Sequence, residues 1–82
     1  MQAGELDLVC AIGSVVAFVE VKTRSSSRFG SGAEAVGRNK QQRIRRLGRA
    51  WLQASPETFR YVRFDVVDVD ARGNVVVYEA AF

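Results

Sequence analysis

Four residues near the start of the chain could do chemistry together: Glu5 and Asp7 in one short segment, Glu20 and Lys22 in the next. Within each pair the spacing is two, so on an extended strand the two side chains share a face. The segments, about Glu5 to Ala11 and Val15 to Lys22, alternate and are rich in β-branched or apolar residues. Gly13-Ser14 between them suits a two-residue type II′ turn, with glycine at its first central position. This predicts an antiparallel hairpin in which Asp7 faces Glu20 and Glu5 faces Lys22. Moving the turn to Ile12-Gly13 changes the direct partners but keeps all four on one face, whereas a loop of odd length separates them.

Carboxylates opposed across two strands repel, so the pairing needs something to offset it. A hard divalent cation does so naturally: Mg²⁺ takes oxygen ligands and is often held by one or two carboxylates plus waters, with Mn²⁺ as a ready substitute. Asp7 and Glu20 are the expected ligands, with the Val21 carbonyl as a third. A metal held there could activate water and stabilise charge on a phosphate, and Lys22 could orient the nucleophile or balance developing charge. The plain alternative is a solvent-facing hairpin with a Glu5-Lys22 surface ion pair worth under ~1 kcal/mol.

The remaining elements must hold this hairpin. Thr23 to Gly32, with four serines, two glycines and two arginines, has loop composition. A helix is predicted over about Asn39 to Ala54, capped by Asn39, with Ile44, Leu47 and Trp51 as its apolar stripe. Gly48 lies on the same side and would allow close approach to a sheet, at about 1 kcal/mol relative to alanine. Pro56 stops the helix. Strands follow at about Arg60 to Val69 and Val75 to Ala80, around a turn at 71–74, giving the order β-β-α-β-β. A strand-helix-strand unit favours a right-handed crossover, which makes the second and third strands parallel neighbours under the helix. The fold class is therefore α/β, a mixed sheet with a helix on one face, in a single domain spanning 1–82.

Composition narrows the chemistry. The chain has 82 residues, 48% of them hydrophobic, a net charge of +3, one cysteine and no histidine. Histidine catalysis, an internal disulfide and the usual Cys/His zinc patterns are excluded within it. No apolar run is long enough for a membrane span, and the start does not read as a secretory signal, so a cytoplasmic protein is expected. Six cations and no carboxylate lie between Arg38 and Arg49. Arg43, Arg45, Arg46 and Arg49 should fan over the helix side away from the stripe and could contact nucleic-acid phosphates, although such runs are also ordinary solvated faces. Arg24 and Arg28, in the loop, are better placed to clamp a phosphate near the metal. Cys10 reads as buried filler among Leu6 and Leu8, and Trp51 as core. Asp65, Asp68 and Asp70 read as structural, the last two running into a turn.

Gly4-Glu-Leu-Asp-Leu-Val9 followed by Phe18-Val-Glu-Val-Lys-Thr-Arg24 closely resembles the YraN family of bacterial proteins. The likeness continues through Arg28-Phe-Gly30, Glu34-Ala-Val36, Lys40-Gln41, Arg63-Phe-Asp-Val-Val67 and Ala81-Phe82. The resemblance implies a restriction-endonuclease-like fold and its signature, an acid followed by Asp/Glu-x-Lys, which Asp7, Glu20 and Lys22 match. It therefore implies a Mg²⁺-dependent endonuclease-like protein acting on nucleic-acid phosphodiesters, with Glu5 in support and helix residues Lys40 or Gln41 assisting. A catalytically inactive nucleic-acid-binding module is the alternative. Gln41 lies about 70° from the stripe's centre, at the edge of the sheet-facing side. Family members also carry an amino-terminal helix and one further strand before Gly4, so this chain is expected to be a reduced core. With one helix for two apolar sheet faces, a homodimer or higher oligomer is expected, packed through the sheet face or the Glu5-Ala11 edge, or else a fragment completed by self-association.

Overall fold

A computed structural model describes residues 6–23 and 36–82. In chain order it contains strand β1 (Leu8–Ile12), strand β2 (Val15–Thr23), helix α1 (Arg38–Ala54), strand β3 (Tyr61–Val69) and strand β4 (Val75–Tyr78). The sheet order is β1-β2-β3-β4, with β2 and β3 parallel and both outer pairs antiparallel. The architecture is thus the expected α/β arrangement, a mixed four-stranded sheet with one helix.

Gly13 sets the register. At φ 59 it takes a conformation that L side chains rarely adopt, and Ile12 pairs with Val15 across it. From there Leu8 pairs with Val19, as the two-residue turn requires. The Ser14 carbonyl then accepts from the backbone N–H groups of Arg60 and Tyr61 at 2.8 and 3.0 Å, which fixes where β3 starts against β2. Lys22 consequently stands beside Asp68 in the parallel ladder.

Val16 and Phe18 of β2, Phe64 and Val66 of β3, and Tyr78 of β4 occupy the side toward α1. Phe18 and Phe64 stack at 5.5 Å, and Trp51 meets Phe18 edge-on at 5.6 Å. A Cβ on Gly48 would lie 3.1 Å from Phe18 and 3.2 Å from Phe64, so glycine is what lets α1 approach. Ile44, Val36 and Val66 form a buried cluster that Leu6, Tyr78 and Phe82 help to cover.

Several sequence expectations shift. β1 begins at Leu8 rather than Glu5, because the chain bends at Asp7. That bend ends the alternation, so Leu6 packs on the helix side instead of beside Leu8. α1 starts from Gly37 in extended conformation with no side-chain cap, and Asn39 lies inside the first turn. β4 ends at Tyr78, followed by a turn in which Ala80 has φ 51. Cys10 is exposed, since it points to the sheet side that α1 does not cover.

Candidate functional site

The carboxyl ends of β2 and β3 bring the chemistry together, which is where open α/β sheets commonly bind ligands. Glu20 points toward α1 and is only 6% exposed. A carboxylate so desolvated needs a counter-charge, and the Lys40 ammonium supplies it in an ion pair with Glu20 Oε2. Helix geometry gives Lys40 a matching need. α1 opens with Arg38 and Lys40 and has no acid in its first turn, so the positive end of the helix dipole is left to an outside anion. Glu20 provides it.

Asp7 arrives from the other side. The antiparallel ladder stops one rung short of it, at Leu8–Val19, so Asp7 does not sit opposite Glu20 as a strand partner. Its Oδ2 instead accepts from the Val21 N–H at 3.0 Å, replacing the backbone partner that β2 loses there. A strand residue directs its N–H and C=O to the same edge, so the Val21 carbonyl leaves on the side where Asp7 sits. Asp7 is exposed, Lys22 is half-buried, and both lie close in sequence or register to Glu20.

One residue that sequence reasoning set aside belongs here. Asp68, 2% exposed, stands on the α1 side of β3 as the direct rung partner of Lys22. Only the β2–β3 register reveals this, and that register comes from the Ser14 contacts rather than from any local pattern. Asp65 and Asp70 do structural work. Asp65 holds Arg63 by two hydrogen bonds, of 2.9 and 3.2 Å, and accepts from the Ala80 N–H at 2.9 Å. The Arg63 guanidinium is pushed above its ordinary pKa chiefly by the bond to Asp65. Asp70 accepts from the backbone of Arg72 and Asn74 and from the Asn74 amide, building the β3–β4 turn.

The helix candidates separate. Gln41 donates from Nε2 to the Val36 carbonyl at 2.9 Å, securing the chain as it enters α1. Arg45 does not fan away from the apolar side as expected: its guanidinium lies over the rings of Phe64 and Phe82, 5.1 and 5.6 Å from their centres. Position 45 flanks the stripe, and the carboxyl-terminal ring comes up to meet it. Arg43 is half-buried, while Arg46 and Arg49 are exposed. Glu5, Arg24 and Arg28 lie outside the described residues.

Among the described residues no three His, Cys, Asp or Glu side chains surround one point closely enough to cage a metal. The oxygens that could serve a metal at this end of the hairpin are those of Asp7 and Glu20 and the Val21 carbonyl. That suits Mg²⁺, which keeps several waters, better than ions bound in all-protein cages.

The model of the uncharacterised protein family UPF0102 matches residues 1–69. The chain belongs to the UPF0102, or YraN, family. It is similar to a UPF0102 protein of Frankia alni, 58% identical over 64 residues covering 78% of this chain and 53% of the relative. A UPF0102 protein of Mycolicibacterium vanbaalenii is 50% identical over 66 residues, 80% of this chain and 54% of the relative. That of Parafrankia is 45% identical over 76 residues, 90% and 64%. The chain thus spans about half the length of the first two of these relatives. Among the described residues no helix is long and apolar enough to cross a membrane.

Proposed function

We propose that the chain forms the metal-binding core of a Mg²⁺-dependent endonuclease-like domain that hydrolyses nucleic-acid phosphodiesters. The observation that carries this is the bond from the Val21 N–H to Asp7, which ties Asp7 to the β2 residue between Glu20 and Lys22, with Glu20 buried against α1. A buried carboxylate at a strand's carboxyl end is costly without a cation, and the Asp/Glu-x-Lys signature that Glu20 and Lys22 match gives that cost a purpose.

In this reading Asp7 and Glu20 hold the cation, with the Val21 carbonyl beside them and Glu5 in support. Bound there, Mg²⁺ would supply an activated water and charge stabilisation at the phosphate. Lys22, half-buried and beside Asp68 in the ladder, is the cation that this reading assigns to an oxygen of the scissile group. Lys40 is the internal counter-ion of Glu20 and would be free to contact phosphate with a metal at Glu20. Gln41 keeps the start of α1, and so Lys40, in place. Arg46 and Arg49, with Arg24, Arg28 and Arg43, give salt-sensitive backbone contacts to nucleic acid, whereas Arg45 serves the core.

The test is a Mn²⁺ or Mg²⁺ titration together with a cleavage assay on a mixed set of DNA and RNA substrates. Lys22→Ala should leave metal binding intact and abolish cleavage, because its role lies at the transition state. A specific observation favours the second reading, a nucleic-acid-binding module without catalysis: Lys40 already satisfies Glu20 without any metal. Nucleic-acid affinity that is indifferent to divalent ions, with no cleavage, would select that reading.

A further inference from the structure

The two halves of the Glu20–Lys40 ion pair are held very differently. Glu20 sits within β2, with Val66 as its rung partner in the parallel ladder, and its carboxylate has little water to share its charge. A cation must stay against it. Lys40 supplies that cation from the end of a flexible four-carbon stem, and its side chain is 34% exposed. The backbone beneath the stem is tied down. The Gln41 N–H donates to the Gly37 carbonyl and the Gln41 Nε2 to the Val36 carbonyl, both at 2.9 Å. Lys40 can therefore leave Glu20 by rotating its side chain alone.

Its surroundings on α1 offer it nothing in exchange. The first turn holds Arg38 and Lys40 with no acid and no side-chain cap, and Arg43 follows one turn on. No carboxylate occurs between Arg38 and Arg49. An ammonium turned away from Glu20 meets other cations and the positive end of the helix dipole, so an anion from outside is what would hold it there.

On the reading of Asp7 and Glu20 as metal ligands, on which this rests, we propose that Lys40 fills the charge position of the metal in the free protein and that a nucleic-acid phosphate draws it off. The divalent cation and the phosphate backbone then bind in concert rather than independently. An ammonium and a divalent ion on one carboxylate repel, and a desolvated site screens that repulsion poorly. Glu20 is thus open to the metal only in the form that Lys40 has left, which lowers the apparent affinity by the fraction of chains in that form. A phosphate that pairs with the freed ammonium raises that fraction. By linkage, the metal must then tighten phosphate binding by the same factor. The lysine keeps the site shut until substrate phosphate is at hand.

Mn²⁺ calorimetry on the parent, Lys40→Met and Lys40→Gln tests the first half. Methionine keeps an unbranched stem without the charge, and glutamine keeps a neutral donor for Glu20 should the apolar variant fail to fold, which circular dichroism and Trp51 fluorescence will show. The folded variants should bind Mn²⁺ about fivefold or more tightly than the parent. A lysine that only braces Glu20 gives the opposite result, weaker binding once it is removed. Equal or weaker affinity overturns the proposal and leaves the metal site standing, whereas no Mn²⁺ uptake by parent or variants overturns the metal reading and the proposal with it. The second half is read by fluorescence anisotropy with a short phosphorothioate oligonucleotide, which resists hydrolysis, with and without Mn²⁺ at fixed ionic strength. Mn²⁺ should tighten its binding more in the parent than in Lys40→Gln, because only the parent has an ammonium to transfer from Glu20 to phosphate. Equal tightening in both, or none in the parent, contradicts the coupling.

Discussion

The two faces of this sheet carry opposite exceptions to the usual rule of polar outside and apolar inside. Toward α1, Glu20 and Asp68 are 6% and 2% exposed. Away from it, Ile12 and Tyr61 are 82% and 57% exposed. Burying carboxylates costs free energy and exposing large apolar groups forgoes it, so each departure points to a use. On the covered face the use proposed above is metal chemistry, beside the ion pair of Lys40 with Glu20.

The largest expected effect is on the covered face. Phe18→Ala should destabilise the fold by about 3–5 kcal/mol in urea denaturation, because Phe18 is fully buried between Trp51, Phe64 and the surface of Gly48. Val75→Thr on the open face should stay within about 0.5 kcal/mol under conditions where the chain is monomeric. Equal losses would break the distinction between the faces.

Next in size is the counter-ion of Glu20. Lys40→Ala removes the partner of a buried carboxylate and should cost about 1–3 kcal/mol, the value expected when a buried acceptor is left unmatched. If a divalent cation can take the same charge, Mg²⁺ should raise the melting temperature of this variant more than that of the parent. Equal shifts would show that Lys40 and the metal do not share Glu20.

The smallest effect separates two arginines that sequence treats alike. Arg45→Ala should cost about 0.5–1 kcal/mol of stability through its rings, with little change in the salt dependence of nucleic-acid binding. Arg49→Ala should leave stability unchanged and lower the slope of log affinity against log salt by about one.

What the sequence made legible was what depends on period and turn geometry. Gly13-Ser14 plus alternation suffices to derive the Leu8–Val19 register, and Ile44, Gly48 and Trp51 suffice to orient α1. The same reasoning puts Asp7, Glu20 and Lys22 at one end of the hairpin but expects Asp7 opposite Glu20, whereas the ladder stops at Leu8–Val19. What escaped depends on contacts between distant segments. The bend at Asp7, the partnership of Lys40 with Glu20, and the place of Asp68 beside Lys22 all arise from how α1 and β3 settle on the hairpin. Cys10 was misplaced for a related reason: alternation says which side a residue faces, and only the packing of α1 says which side is covered.

The central claim is that Asp7 and Glu20 together hold a divalent cation. Isothermal calorimetry with Mn²⁺ on the parent, Asp7→Asn and Glu20→Gln tests it most directly, with folding of each variant checked by circular dichroism. Binding of one ion by the parent, lost or weakened by about tenfold or more in both variants, is the predicted result. Equal Mn²⁺ affinity in all three folded proteins, or no binding by the parent, would contradict the account.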